Sequence, residues 1–308
     1  MVIDTLLRYK INLFLVVLLC AHSLYGITIV YNFRIAETTR SHLKTLIKRR
    51  KSIIALTTFA QFRKLLKEVH QSAVGGLLNY VYMKEDFYAR ISSAIAHVRT
   101  KTNNTLLATP ISRTQTDDIL FTAGYALTVH ERLKVAFSGH FGIPTHKDTS
   151  LQALQFGTGH VGLGGQIDGV LHFNEHQALM AAVRFIHFFS RDVPISIDDV
   201  IREVDFSPGN VADLFFSYQH VWKSHQIECG YNPTFIFDAR LSIPLPLVIE
   251  EINSTTHSFF ASYRYGFLIR KTYPSAFIIG TSIGTNPQPE SIGNTTIVTA
   301  WLSWGINF

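Results

Sequence analysis

Cysteine, charge and long apolar runs are all scarce in this chain. It has two cysteines in 308 residues. Cys20 lies in the apolar N-terminal run and Cys229 stands alone in the remainder, so a disulfide framework is excluded. Charged residues make up 16% of the sequence, yet beyond the N-terminus no apolar run reaches the roughly 20 residues that a membrane helix needs. Low charge without such helices points to a β protein with an apolar exterior. No Gly- or Pro-rich linker divides the chain, and one large all-β domain fits its length. The net charge of +6 does not argue for nucleic acid, because much of the excess sits between Arg40 and Lys67.

The first 26 residues carry Arg8 and Lys10, then the apolar run Ile11 to Cys20, then small residues at Ala21, Ser23 and Gly26. That order reads as a cleaved secretory signal over residues 1–26. An uncleaved anchor continuing through Ile27 to Val30 is the competing reading. Leu19 stands before Cys20 where a lipoprotein signal wants a small residue, which argues against lipidation.

From there the dominant pattern has period 2, the mark of a strand with two unlike faces. Ile27 to Arg34 alternates and is expected to be the first strand. Around 38–72 the apolar residues Leu43, Ile47, Ile54, Phe62, Leu65, Leu66 and Val69 fall at helical spacing among many Lys and Arg, predicting a basic helical insertion. From Gly75 onward hairpins succeed one another. In the clearest, Asn210 to Asp238, Ile227, Cys229, Tyr231, Phe235 and Phe237 oppose Gln226, Glu228, Gly230, Asn232 and Thr234. A last strand runs from Thr295 to Phe308. Pro233 weighs against its strand, since it cannot donate a ladder hydrogen bond.

Connections alternate in length, with tight turns near Glu85, Glu131, Glu175, Lys223 and Tyr273 and longer loops near Asn104, Lys147, Ile197, Glu250 and Pro289. Bacterial outer-membrane barrels have this asymmetry, short turns facing the periplasm and long loops facing out. The expected fold is all-β: an antiparallel up-and-down transmembrane β-barrel of about 12 strands over residues 27–308. Both termini then lie on the periplasmic side. The strands are longer than the roughly 5 to 6 residues usual in soluble proteins, and aromatics crowd the ends of the apolar faces as in interfacial girdles. Apolar faces are therefore expected to meet lipid and polar faces to line a lumen. Its candidate lining residues are Arg34, Asn79, Arg90, Lys134, His140, Gln166, Asp168, Arg184, Asp213, Glu228, Asn232 and Arg264.

The C-terminal stretch Thr299-Ala-Trp-Leu-Ser-Trp-Gly-Ile-Asn-Phe308 resembles the terminal strand of bacterial outer-membrane proteins, which ends in an aromatic residue after alternating apolar ones. The resemblance implies that Trp304, Ile306 and Phe308 act as an insertion signal for the barrel-assembly machinery. More narrowly, Phe141-Gly-Ile-Pro-Thr145 followed by Phe156-Gly-Thr-Gly-His-Val-Gly-Leu-Gly164 resembles the loop-and-strand pattern of meta-pathway phenol-degradation outer-membrane proteins. That resemblance implies transport of hydrophobic compounds.

Other motifs dissolve on inspection. Gly157 to Gly162 satisfies GxGxxG, but the strand-turn-helix context that a phosphate site needs is missing. Ser138, His140 and Asp168 share a face and would need triad geometry to hydrolyse anything; no catalytic residue is assigned. His130, His172, His176, His220 and His225 gather near short turns without a zinc spacing, and no metal or cofactor is expected. Lys48 to Lys51 would contact lipopolysaccharide phosphates if external, or bias the pore if folded inward. The expected function is a monomeric outer-membrane channel for small, including hydrophobic, molecules of unspecified identity. Its partners are membrane lipid, lipopolysaccharide and the assembly machinery. The alternatives are a non-conducting structural or adhesive barrel and a barrel hydrolase.

Overall fold

The computed structural model describes residues 51–66, 69–102, 111–145, 159–197, 200–242, 252–269, 273–286 and 295–308. The signal segment, the Ile27 to Arg34 strand, Arg34 itself and residues 38–50 of the proposed insertion lie outside them. The strands are Lys51–Leu66 (β1), Val69–Lys84 (β2), Phe87–Thr102 (β3), Ile111–Thr116 (β4), Ile119–His130 (β5), Leu133–Ile143 (β6), Gly162–His172 (β7) and Gln177–Phe188 (β8). They continue as Arg191–Ile197 (β9), Val200–Ser207 (β10), Asn210–Trp222 (β11), His225–Ser242 (β12), Ile252–Ile269 (β13), Tyr273–Asn286 (β14) and Thr295–Asn307 (β15).

Twelve of these close an antiparallel barrel in which chain neighbours are sheet neighbours. The ring is sealed where β1 pairs β15, from Ile53 opposite Asn307 to Lys64 opposite Thr296. Outside the twelve, β4 prolongs the β5 wall along β3, and β9 and β10 form a hairpin joined to the far end of β12. Five tight turns lie at one end with Lys51 and Phe308, and the longer connections lie at the other, where Leu66 of β1 pairs directly with Val69 of β2. Glu85 and Lys223, each opening a two-residue turn, take φ of 54° and 51°.

One expectation fails. Residues 51–66 and 69–72 are strand, not helix, and β1 occupies the closing position expected of Ile27 to Arg34. The reason lies in what β1 faces. Ile53, Ala55 and Phe59 pack inward as Ile54, Leu56 and Phe62 point outward, so both faces are apolar and the period-2 contrast disappears. The β-branched pairs Ile53-Ile54 and Thr57-Thr58 were the strand signal left in place.

Pro233 sits inside β12 all the same. The β11–β12 ladder is interrupted between Asp213–Thr234 and Phe216–Tyr231, and Asn232 Nδ2 donates to the Leu214 carbonyl at 2.5 Å, replacing the bond proline cannot make.

Burial alternates along every wall. Leu78, Ile95, Leu163, Val183, Ile279 and Leu302 are more than half exposed on the outside, whereas Thr57, Asn79, Ser92, Asp168 and Thr299 are buried within. A continuous apolar girdle of that kind would drive aggregation in water and is stable against hydrocarbon. The closed ring leaves no ladder edge for lipid to strand.

Candidate functional site: the barrel lumen

A polar belt crosses the inner wall strand by strand. Arg90 on β3 donates to Asn79 Oδ1 on β2 at 2.7 and 3.1 Å, and stands opposite Thr122 on β5. Thr122 Oγ1 lies 3.0 Å from His140 Nδ1 on β6. Gln166 on β7, opposite Ser138, donates to Asp168 Oδ1 at 2.6 Å. Its other neighbour is Arg184 on β8, whose Nε donates to Asp213 Oδ2 on β11 at 2.7 Å within a salt bridge. Thr234 on β12 completes the run by donating to Asp213 Oδ1 at 2.5 Å. The ladder sets this row: each member is the cross-strand partner of the next or one pleat from it, so inward polar residues at period 2 become a transverse stripe.

Beside the belt the lumen also holds an apolar cluster. Ile53 and Phe59 of β1, Leu77 and Val81 of β2, Phe215 of β11, Phe260 of β13 and Trp301 of β15 form one buried cluster with neighbouring alanines. Phe215 and Phe260 stack with ring centroids 5.3 Å apart. Bulky rings fit because inward glycines leave room: a Cβ on Gly230 would collide with Phe260, and one on Gly280 with Trp301. At the short-turn end lies a cavity of about 260 Å³ whose wall includes Ile53, Gln226, Arg264, Ser275 and Asn307.

Asn79, His140, Asp168, Arg184, Asp213 and Asn232 are buried on the inner side, and Arg90, Lys134, Gln166, Glu228 and Arg264 are half-buried there. The structure brings Asn79, Arg90, His140, Gln166, Asp168, Arg184 and Asp213 into the belt. Arg264 and Glu228 sit nearer the short-turn mouth, one pleat apart across β12 and β13. Trp304, Ile306 and Phe308 lie on the lipid side of β15. Ser138 Oγ is 3.5 Å from His140 Nε2, but Thr122 holds Nδ1 where a triad would place its carboxylate, and Asp168 receives Gln166. His225 stacks on Trp222, His220 lies tilted against the same ring, and His225 Nδ1 lies 2.6 Å from the Tyr263 hydroxyl.

Sequence reasoning passed over the aromatic side of the lumen and the β1 polar residues. There Arg63 Nε donates to Gln61 Oε1 at 2.5 Å, and Gln61 Nε2 donates to Thr299 Oγ1 at 3.2 Å. For Trp301 the signal was present, since it shares parity with Thr299 and Ser303.

Among solved structures, the chain is similar to an outer membrane channel from Pseudomonas putida F1, with a TM-score of 0.62 and 13% identity over 84% of this chain and 95% of that one. The chain has the fold of an outer-membrane β-barrel. It is also aligned with the toluene transporter TodX of Pseudomonas putida (TM-score 0.43, 9% identity, 86% and 91% of the two chains). A third alignment is with the NanC porin (TM-score 0.42, 8% identity, 80% and 98%). No known family profile and no curated protein matches the sequence. The closed ring and its outward apolar girdle are those of a membrane-spanning β-barrel.

Proposed function

We propose that the barrel is a channel for small molecules that carry both polar and apolar surface. The observation behind this reading is the mixed lining of the lumen: a hydrogen-bonded stripe of alternating charge from Arg90 to Asp213 runs beside a cluster of aromatic and aliphatic side chains that includes Phe59, Phe215, Phe260 and Trp301. A purely aqueous pore has no use for buried Phe and Trp, and a hydrocarbon conduit has no use for buried ion pairs. Arg90 and Arg184 are balanced by Asp168 and Asp213, so strong anion or cation selectivity is not expected. The belt residues orient a polar group, the apolar cluster beside them accepts the apolar part, and the cavity near Arg264 receives the solute at the periplasmic mouth. The reading includes no catalytic step and no cofactor.

A second reading has its own support. The same apolar cluster joins residues of β1, β2, β3, β7, β8, β11, β13 and β15, which would make the interior a packed core and the protein a structural or adhesive barrel. Planar-bilayer recording separates the two: discrete conductance steps, blocked by amphipathic solutes, support the channel, and a folded, inserted protein with no conductance or solute uptake supports the packed core.

In this account residues 1–26 direct export and are removed, the assembly machinery reads Trp304, Ile306 and Phe308, and the barrel works as a monomer. The meta-pathway resemblance is kept at the level of solute chemistry.

A further inference from the structure

Among the described residues the lipid-facing wall carries a concentrated group of cations, and its position is specific. On β1, β2 and β3 the outward apolar stretches are Ile54 to Phe62, Val74 to Tyr82 and Phe87 to Ile95, each nine residues long. At about 3.3 Å per residue and a tilt of about 40°, each climbs roughly 20–25 Å, the height of a membrane barrel's apolar band. Directly beyond it, at the long-loop end, stand Lys64 on β1, His70 on β2, and Arg99 and Lys101 on β3. The ladders make Lys64 the partner of His70, His70 the partner of Lys101, and Ser72 the partner of Arg99. Adjacent strands are about 4.8 Å apart, so three full cations and a histidine crowd one patch.

Like charges at cross-strand positions repel, and here nothing within the wall offsets them. Among the described residues, no Asp or Glu occupies an outward position on β1, β2, β3 or β4. Lys64, Arg99 and Lys101 are exposed, and Phe62 stacks on His70 with centroids 5.9 Å apart, holding the imidazole at the top of the apolar band. His70 Nδ1 is buried without a hydrogen-bond partner. His97, just below, is engaged with Thr114 and Ser112 at 3.2 and 3.0 Å.

We propose that Lys64, His70, Arg99 and Lys101 form a binding site for the phosphates of the outer-leaflet glycolipid, with its acyl chains lying against Phe62, Val74 and Ile95. The occupant must be anionic, must sit at headgroup depth on the long-loop side, and must present hydrocarbon below the charge; a phosphorylated glycolipid meets all three conditions. Of the Lys48 to Lys51 run, which would contact such phosphates if external, only Lys51 lies among the described residues, at the short-turn end of β1. The site depends on which end of the barrel faces out and not on whether the lumen conducts.

The test is native mass spectrometry of the full chain in detergent with diphosphoryl lipid A. Each surface cation contributes about 1 kcal/mol, or about fivefold, so K64Q/R99Q/K101Q is expected to bind roughly a hundredfold more weakly. K84Q/R132Q, which removes two cations at the short-turn end, is expected to bind as wild type does. Dephosphorylated lipid A is expected to bind wild type no better than diphosphoryl lipid A binds the triple variant. A triple variant within twofold of wild type, equal binding of the dephosphorylated lipid, or equal binding of phosphatidylglycerol would each overturn the assignment. Heat-modifiability on gels establishes folding; should the triple variant not fold, R99Q alone is expected to lose about fivefold, and unchanged binding by R99Q would overturn the site equally.

Discussion

Replacing Asp213 by Asn tests how the lumen stripe is held. Arg184 and Asp213 are each about 5% exposed, and the carboxylate takes the Arg184 Nε at 2.7 Å and the Thr234 hydroxyl at 2.5 Å. The amide keeps the shape and can still accept from Thr234, but the guanidinium loses its counter-charge. Removing one partner of a buried pair costs about 3–5 kcal/mol; lumen water relieves part of this, so about 2–4 kcal/mol is expected for D213N, and a similar loss for R184M. The pair itself is worth little net, so R184M/D213L is expected within about 1 kcal/mol of wild type. Reversible urea titration in detergent, read by the compact and unfolded gel bands, gives the three values and their coupling energy. In bilayers D213N is expected to shift the reversal potential toward anions, and the double variant to restore it. Single variants that each cost under about 0.5 kcal/mol and add in the double would refute the reasoning.

Filling the space beneath a lumen ring is expected to destabilise: G280A should cost about 1–3 kcal/mol by overpacking, and W301A should recover most of that in the same urea titration. Lys223 holds φ at 51°, so K223G is expected to raise stability by about 0.5–1 kcal/mol unless flexibility gained by the unfolded chain offsets it; a loss above 1 kcal/mol would contradict the strained-turn reading. F308A is expected to lower the yield of inserted barrel several-fold in cells while leaving detergent refolding within about 1 kcal/mol of wild type, separating a recognition signal from a stability contact. Substituting Asn232 by Leu should expose the missing bond at Pro233, costing about 1–3 kcal/mol, whereas adding P233T is expected to recover part of it.

Where the walls differ in polarity, the fold was legible before any coordinates. In β12, Gln226, Asn232 and Thr234 against Ile227 and Tyr231 leave one register that keeps polar groups out of lipid, and turn parity then orders the strands. Legibility ended where that contrast ended. Along β1 the inner face carries Ile53 and Phe59, so helical and extended spacings fit equally, and the Lys and Arg around it favoured the wrong one. Polar lumen residues such as Asn79 and Arg184 could be chosen by parity alone. Their joining into a stripe could not, because it depends on cross-strand register, which glycines and the stagger of twelve strands set together. The aromatic cluster was missed for a different reason: Trp301 shares parity with Thr299 and Ser303, but a ring of that size fits inward only because Gly280 beside it leaves room, and that pairing depends on register.

Cysteine accessibility along β12 tests most directly whether polar residues face an enclosed axis and apolar ones face lipid. In a C229S background reconstituted in vesicles, Q226C, E228C and N232C are expected to react with a small charged methanethiosulfonate, and I227C and Y231C only with lipophilic maleimide. Equal labelling at all five positions, or charged-reagent labelling confined to I227C and Y231C, would contradict the account.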